Sequence, residues 1–389
     1  MVNFNERINR VNSLSVKWDG MENVFGHSDL LPMWVADMDF RPPEQAMEQM
    51  KQRIEHGIFG YTIIDEKVKN AITSWTNKRH NWKVDHDWLL FSPGVVPSIA
   101  IAVQAFTEVG DKILIQSPVY TPFFNIIESN MREIVNSELI LKNGRYEIDF
   151  NDFEEKLKND VKVFLLCSPH NPTGRVWSKE ELGRMAQLCE KYDVVIIADE
   201  IHADIVLPPY KHIPLASLNK AYADRTLTLM APSKTFNLAG LQASFMVAQN
   251  KEMRNKIAEI QAKNGFFALN TFGIIAMEAA YTYGEHWLND MLSYIQANVD
   301  LIKTKVKEAL PKLEVIESEG TYLVWIDCRK TGLNDADLRK VLLEKGKLAV
   351  NFGDAYGPGG EGFIRLNAAC QREIVEDGVK RLIYALEAY

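Results

Sequence analysis

Residues 161–174 read VKVFLLCSPHNPTG, so a short apolar run leads directly into a loop of polar and turn-forming residues. Four more apolar runs, rich in β-branched residues and bounded by turn residues, lie between residues 87 and 231: DWLLF, KILIQ, DVVIIAD and TLTLMA. Runs of this length and composition are typical of buried strands. Helical patterns separate them, and this alternation predicts a mainly parallel sheet with helices on both faces.

One of the intervening stretches carries a helix start signal. It reads SKEELGRMAQLCEKY over residues 178–192, with Ser178 first and Glu181 three residues later. This spacing forms a capping box, in which each side chain accepts a hydrogen bond from the other residue's backbone N–H. We therefore predict a helix that begins directly after Ser178.

The pattern changes after Gly284. A long helical stretch runs to Pro311, and the strand-like runs TYLVWIDC, KLAVNF and GFIRLNAAC follow, with a helix over residues 334–345 and a closing helix. These runs alternate polar and apolar residues, which predicts a sheet with one exposed face. We expect a large domain over residues 46–284 and a smaller α+β domain made of residues 1–45 and 285–389.

The composition excludes several classes of protein. A net charge of −8 disfavours nucleic acid as a partner, because phosphate binding needs a basic surface. The sequence contains no apolar run that approaches a membrane span, and its first residues lack the apolar segment of a secretory signal. The four cysteines form no CxxC pair, which disfavours a disulfide framework or a metal site. We expect a cytoplasmic protein.

Chemically specific residues follow each predicted strand of the large domain. They are Ser92-Pro93-Gly94, Ser117-Pro118-Val119-Tyr120, residues 168–174, Asp199-Glu200 and Pro232-Ser233-Lys234. Any one of them could be a turn, a helix cap or a core residue. In open parallel sheets, however, ligands bind at the carboxyl ends of the strands. Five such ends together predict a ligand site.

Lys234 identifies the chemistry of this site. A lysine that directly follows a buried strand is rarely buried without a partner. Desolvation lowers a lysine pKa below its usual value of about 10.4, and the neutral amine can form a Schiff base. Asp199 could pair with a protonated pyridine nitrogen, Tyr120 could stack on a ring, and the helix start after Gly94 could hold a phosphate. This combination indicates pyridoxal 5′-phosphate.

Several motifs resemble a known family. SPHNPTG (168–174), ADEIH (198–202) and APSKTFNLAGL (231–241) resemble the aspartate-aminotransferase superfamily of fold-type I pyridoxal-phosphate enzymes. LPMWVADMDF (31–40), EHGIFGYT (55–62), FSPGVVPS (91–98) and YGPGGEGFIRLNAAC (356–370) are similar to its MalY/PatB-type cystathionine β-lyase branch. The resemblance covers nearly the whole chain. It implies an aspartate-aminotransferase-like α/β fold whose large domain has a mainly parallel, seven-stranded sheet.

The resemblance also implies a role for each matched residue. Lys234 is expected to be the Schiff-base and catalytic lysine, and Asp199 to pair with the pyridine nitrogen. The remaining cofactor contacts are expected from Asn171 and His202 on the ring's 3′-oxygen, Tyr120 on the ring face, and Gly94, Val95, Val96 and Ser233 at the phosphate. Gln242 stands where many aminotransferases carry an arginine that contacts this phosphate.

Two further residues are expected to act on the substrate and on a neighbouring subunit. Arg365 would bind the substrate α-carboxylate as a bidentate fork, with Tyr120 and Asn171 also contacting the substrate. Tyr61 would reach the phosphate of the neighbouring subunit, which implies a homodimer with shared active sites.

The resemblance implies a carbon–sulfur β-lyase that cleaves L-cystathionine or other cysteine S-conjugates by α,β-elimination. Two alternatives stay open at this point. An aminotransferase that acts on a small L-amino acid would use the same cofactor and the same lysine. A binding or regulatory protein on the same fold would use neither, although the intact Lys234, Asp199 and Arg365 disfavour this as its sole role.

Overall fold

The computed structural model describes residues 2–389. The strands in this range are β1 (Leu31–Pro32), β2 (Leu89–Ser92), β3 (Lys112–Ile115), β4 (Glu133–Asn136), β5 (Ile140–Lys142), β6 (Arg145–Glu147), β7 (Val161–Cys167), β8 (Val195–Asp199), β9 (Thr226–Met230), β10 (Ser244–Val247), β11 (Glu314–Val315), β12 (Leu323–Asp327), β13 (Leu348–Ala349), β14 (Asn351–Phe352) and β15 (Phe363–Asn367). The α-helices are α1 (Val16–Asp19), α2 (Met21–Phe25), α3 (Glu44–His56), α4 (Glu66–His80), α5 (Val95–Phe106), α6 (Pro122–Ser129), α7 (Phe150–Leu157), α8 (Lys179–Lys191), α9 (Lys220–Ala223), α10 (Pro232–Thr235), α11 (Lys251–Lys263), α12 (Thr271–Tyr283), α13 (Glu285–Ala309), α14 (Asp335–Lys340) and α15 (Arg372–Leu386).

A seven-stranded sheet lies at the centre of the larger part of the molecule. Its strand order is β2-β10-β9-β8-β7-β3-β4, and β10 alone runs in the direction opposite to the other six strands. The prediction of a mainly parallel, seven-stranded sheet is therefore confirmed. The capping box is confirmed as well, since Ser178 and Glu181 bond reciprocally at the start of α8.

Helices cover both faces of this sheet because successive side chains of a strand point in opposite directions. In β7, Leu165 packs into a cluster with Ile99 of α5, while Leu166 packs into a second cluster with Met185 of α8. A strand buried on both faces reads as a continuous apolar run. This explains why VKVFLLC lacks the alternation of a half-exposed strand.

The second sheet is antiparallel, with the strand order β11-β12-β15-β14. The prediction that its strands have one exposed face is wrong for β12 and β15, whose residues are all buried. On one face Trp325 stacks on Phe363 with ring centroids 5.0 Å apart, in a cluster that includes Tyr146 of β6. On the other face Ile326 and Leu366 pack into the cluster that contains residues of α13 and α15. Polar residues in these strands are therefore enclosed.

The N-terminal part of the chain joins this second region. β1 pairs in parallel with β13, and the predicted helix over residues 334–345 begins at Asp335, with Asn334 as its N-cap. The predicted domain boundaries at residues 45/46 and 284/285 stay a prediction. Within residues 2–389, no helix is both long enough and apolar enough to cross a membrane.

Candidate active site

A cavity of about 220 Å³ lies at the carboxyl ends of the central strands. It brings together nine of the predicted site residues: Gly94, Val95, Val96, Tyr120, Asn171, Asp199, His202, Ser233 and Lys234. Two larger surface grooves, of about 1000 and 1100 Å³, contain none of these residues. The cavity is therefore identified by its chemistry and by its place in the sheet, not by its size.

Lys234 is carried into the cavity by the short helix α10, which follows β9 through a single residue. Its Nζ donates a hydrogen bond to the backbone carbonyl oxygen of Ala36 at 2.6 Å. Burial, together with the positive charge of Arg365, lowers the pKa of Lys234 to about 8, against the opposing charges of Asp37 and Asp199. A substantial fraction of this amine is therefore neutral near physiological pH.

Asp199 is the last residue of β8 and lies beside Cys167 of β7 in the sheet register. Its Oδ1 accepts a hydrogen bond from the backbone N–H of Ile201 at 3.1 Å. Burial raises the pKa of Asp199 to about 7, although the Ile201 N–H and the Lys234 charge oppose the shift. This carboxylate would be stabilised by a cationic partner inside the cavity.

Asn171 and Arg365 join the two sheets at the site. Arg365 is buried on β15, and its Nη1 donates to Asn171 Oδ1 at 3.0 Å. Its Nη2 donates to Asn351 Oδ1 at 2.6 Å and to the Trp34 carbonyl oxygen at 2.9 Å. These bonds fix the guanidinium while its Nε has no partner among the residues that the structure describes.

His202 and Tyr120 supply aromatic side chains to the cavity. The His202 ring is buried, and burial lowers its pKa to about 3, so the imidazole is neutral. Its Nδ1 finds no partner within residues 2–389. Tyr120 is half-buried, 6.0 Å from Phe123 between ring centroids, and burial raises the pKa of its hydroxyl.

The part of the cavity at the start of α5 is formed by backbone. Gly94 precedes α5, and the first N–H groups of any α-helix, here those of Val95 and Val96, lack partners within the helix. Ser233 and Gln242 also line the cavity, and Gln242 lies in the left-handed backbone region with φ of 49°. The cavity therefore offers N–H and side-chain donors to an anion, without an arginine from position 242.

Tyr61 does not reach the cavity of its own chain. Its side chain is 96% exposed, and its ring lies 6.3 Å from that of Phe267, which is itself 80% exposed. Because Tyr61 is exposed, it is available for the predicted contact across a dimer. It has no role in the cavity of its own subunit. The role of Tyr61 stays a prediction.

A short segment that sequence reasoning missed closes the cavity. We call residues 34–39 the strap. Besides the Trp34 and Ala36 carbonyls, its Val35 and Asp37 carbonyls accept hydrogen bonds from Asn367 Nδ2 at 2.7 and 2.6 Å. The motif LPMWVADMDF contains this segment, but a backbone acceptor leaves no signature in the side chains.

The chain matches known proteins over nearly its full length. The family model described as aminotransferase class I and II covers residues 28–382. Cystathionine beta-lyase PatB of Bacillus subtilis (strain 168) is 47% identical over 386 residues, which span 99% of this chain and 100% of that protein. Protein MalY of Escherichia coli (strain K12) is 34% identical over 391 residues, which span 100% of both chains.

A solved structure agrees with these matches. The crystal structure of the PLP-bound C-S lyase from Staphylococcus hominis has a TM-score of 0.93 and 34% sequence identity, and the match covers 99% of this chain and 98% of that chain. Sequence and fold therefore lead to the same group of proteins. The chain belongs to the aminotransferase class I and II family, in the branch that contains PatB and MalY.

Proposed function

We propose that the protein is a pyridoxal-phosphate-dependent carbon–sulfur β-lyase. Its substrate is L-cystathionine or another cysteine S-conjugate, which it converts with water to a thiol, pyruvate and ammonia. One observation carries the proposal: a lysine of lowered pKa lines the cavity, and a buried arginine bonds to Asn171 of the same lining, in a chain 47% identical to a cystathionine beta-lyase. The lysine supplies a base, and the arginine supplies a carboxylate clamp.

The cavity fits pyridoxal 5′-phosphate on three observations. The His202 Nδ1 is buried and unpartnered among the described residues, as an atom facing an absent ring oxygen would be. Asp199 has a raised pKa, which a protonated pyridine nitrogen would reverse. The start of α5, with Ser233 beside it, offers donors to a phosphate. We propose that these residues, with Asn171 and the Tyr120 ring, hold the cofactor.

Arg365 orients the substrate. Its guanidinium already lies fixed between Asn171, Asn351 and the Trp34 carbonyl, so little side-chain freedom is lost when a carboxylate binds. The buried Nε–H has no partner among the described residues, so it is a donor that the incoming carboxylate can use. The α-carbon of the substrate is thereby held on the side of Lys234.

Lys234 moves the proton. Pyridoxal phosphate, when bound, supplies a ring that withdraws electrons from the α-carbon of the substrate. The neutral Lys234 amine takes the α-proton, and the ammonium that results keeps its hydrogen bond to the Ala36 carbonyl. Asp199 keeps a proton on the pyridine nitrogen. When the β-carbon carries a thioether sulfur, the carbon–sulfur bond then breaks and the sulfur leaves as a thiolate with the electron pair.

We further propose a homodimer that shares its active sites. Five apolar or aromatic side chains on two neighbouring segments are more than half exposed: Ile58, Phe59, Tyr61, Ile63 and Phe267. An exposed apolar surface of this kind is typical of an interface between subunits. The exposure of Tyr61 supports a role in the neighbouring subunit's site.

The test is an assay of the pyridoxal-phosphate-loaded protein with L-cystathionine and S-alkyl cysteines. We expect pyruvate and free thiol in equal amounts, and neither from the Lys234→Ala variant. A keto acid added to the same assay tests the aminotransferase alternative, because an aminotransferase would convert the keto acid to an amino acid. Transfer to the keto acid without release of thiol would contradict the lyase proposal.

A further inference from the structure

Two donors share the carbonyl oxygen of Ala36. Lys234 Nζ donates to it at 2.6 Å, and the hydroxyl of Tyr322 donates to it at 3.0 Å. A carbonyl oxygen has two lone pairs, so both hydrogen bonds form at once. Each donor therefore receives less of the oxygen's electron density than it would receive alone.

Tyr322 is held rigidly in this position. Its side chain is fully buried, and its ring meets the His202 ring edge to face, with centroids 6.1 Å apart. Its own carbonyl accepts a hydrogen bond from the Ala368 N–H at 2.8 Å. The hydroxyl therefore has a fixed direction, and burial raises its pKa, so it stays a donor throughout the working pH range.

The Ala36 carbonyl keeps its place without Tyr322. Asn367 Nδ2 binds the carbonyls on either side, those of Val35 and Asp37, and Arg365 binds that of Trp34. Loss of the Tyr322 hydroxyl would therefore change how the oxygen is shared rather than where it lies. This separates the effect of the hydroxyl from the integrity of the strap.

Four charged or titratable side chains besides Tyr322 lie around Lys234, and three of them shift its pKa. Arg365 lowers its pKa, in addition to burial, whereas Asp37 and Asp199 raise it. His202 is neutral and adds no charge, because burial lowers its pKa to about 3. None of these four groups shares the Ala36 oxygen with the lysine in the part of the chain that the structure describes.

We propose that Tyr322 is a positioning residue that acts on Lys234 through the Ala36 carbonyl. Its hydroxyl occupies one lone pair of this oxygen and fixes the direction of the other. The Lys234 amine then keeps one N–H on the oxygen and turns its own lone pair toward the cavity. Because the Ala36 oxygen already accepts a hydrogen bond from Tyr322, it stabilises the ammonium form of Lys234 less. This favours the neutral amine, which is the base. This inference rests on the proposed role of Lys234.

The test measures the protonation of Lys234 directly, in the full-length protein freed of cofactor. Competitive labelling with acetic anhydride over a pH series, read by peptide mass spectrometry, gives the midpoint at which Lys234 becomes reactive. In Tyr322→Phe we expect this midpoint to rise by about half a pH unit, since the ammonium gains the whole oxygen. Replacing Tyr322 with 3,5-difluorotyrosine strengthens the donor and is expected to lower the midpoint.

Tyr146→Phe is the matched control. Tyr146 is also buried, but its hydroxyl accepts from Trp325 Nε1 at 3.1 Å, away from the cavity. The Lys234 midpoint should stay unchanged in this variant. An unchanged midpoint in Tyr322→Phe, or an equal rise in both phenylalanine variants, would overturn the inference.

The holoenzyme gives a second readout. In Tyr322→Phe the acidic limb of the kcat profile should move to higher pH, while KM changes by less than about twofold, because Arg365 is untouched. If the wild-type protein shows no lyase activity, the proposed function fails, and the labelling experiment still decides the role of Tyr322. A midpoint that shifts only in Tyr322→Phe supports the inference in either case.

Discussion

The cavity has two sides that are built in different ways. On the side of the central sheet, functional side chains follow strand ends: Asn171 after β7, Asp199 at the end of β8, and Lys234 after β9. On the side of the strap, the functional groups are backbone carbonyls that are held in place by Asn367 and Arg365. The central-sheet side depends on the identity of its side chains. The strap side depends on the hydrogen bonds that hold the backbone of residues 34–39. Mutations should therefore act differently on the two sides.

The strongest test of the central-sheet side is Lys234→Ala. Removing the amine removes both the cofactor bond and the base, so lyase activity should fall by about 10⁴-fold or more. Pyruvate release by the loaded protein measures this, with Lys256→Ala as a control on an exposed lysine. If Lys234→Ala kept its activity within about tenfold of wild type, the loss would amount to only one ordinary interaction. Another group would then have to be the base.

The next largest effect is expected from Asp39→Asn, which removes the charge of a buried carboxylate at the end of the strap. Asp39 is buried and accepts from Lys17 Nζ and Arg10 Nη1, both at 2.7 Å. Neutralising Asp39 leaves the buried Lys17 with only the more distant Asp37 carboxylate, at 3.7 Å, so the free energy of unfolding should fall by about 3 kcal/mol. Urea unfolding measures this. Asp354→Asn, in an exposed pair with Arg339, should change it by less than about 1 kcal/mol.

The same variant has a pH signature. Burial opposes ionisation of Asp39, but Lys17 and Arg10 overcome it and hold the pKa of Asp39 below its ordinary range. The folded state therefore releases this proton more readily than the unfolded state. The resulting stability is present above about pH 4 and is lost as the pH falls further. The unfolding free energies of wild type and Asp39→Asn should converge in acid, and parallel curves would contradict the role of the cluster.

Arg365→Lys tests the residue that connects the two sides. An ammonium cannot replace the fork that binds Asn171, Asn351 and the Trp34 carbonyl at once. We expect kcat/KM for L-cystathionine to fall by about 30-fold to 100-fold, mainly through KM, because uniform substrate binding is lost. Steady-state kinetics measure this, and Arg339→Lys on the surface should match wild type. A fall confined to kcat would place Arg365 in the chemical step instead.

The smallest expected change in activity, a partial recovery, tests the proposed contact of Tyr61 with the site of a neighbouring subunit. Tyr61→Ala and Lys234→Ala should each be nearly inactive alone. When the two are mixed and allowed to exchange subunits, about a quarter of the sites become intact, so about a quarter of the activity should return. No recovery after exchange, verified by mass spectrometry of the mixed dimer, would remove Tyr61 from the neighbour's site.

The difference between the two sides also explains what could be predicted from the sequence. The strand ends were predictable because apolar runs fix the strands and the residues after them carry the chemistry. Arg365 followed from the family resemblance alone, since an arginine in a strand has no distinctive signal. The Ala36 carbonyl could not be predicted, because its function depends on contacts with Lys234 and Tyr322 that only folding creates.

The error in the small sheet has a related cause. The alternation of polar and apolar residues in β12 and β15 predicted an exposed face, yet both strands are buried. Arg365 and Asn367 are among the polar residues concerned, and their partners are Asn171 and the strap. A polar residue in a strand therefore indicated an internal polar contact rather than solvent. The alternation of residues along a strand shows which side chains share a face. It does not show whether that face contacts solvent or another part of the protein.

The contacts of the strap have a consequence for biosynthesis. Arg365 binds Trp34, and Asn367 binds Val35, across 331 and 332 positions of the chain. The strap therefore leaves the ribosome long before β15 does. Contacts this distant in sequence form only after the intervening chain has been made. A nascent chain that stops short of residue 367 can contain Lys234, Asp199 and the strap itself, and still lack the Asn367 side chain that holds the strap. The complete site is therefore assembled only after β15 has been made.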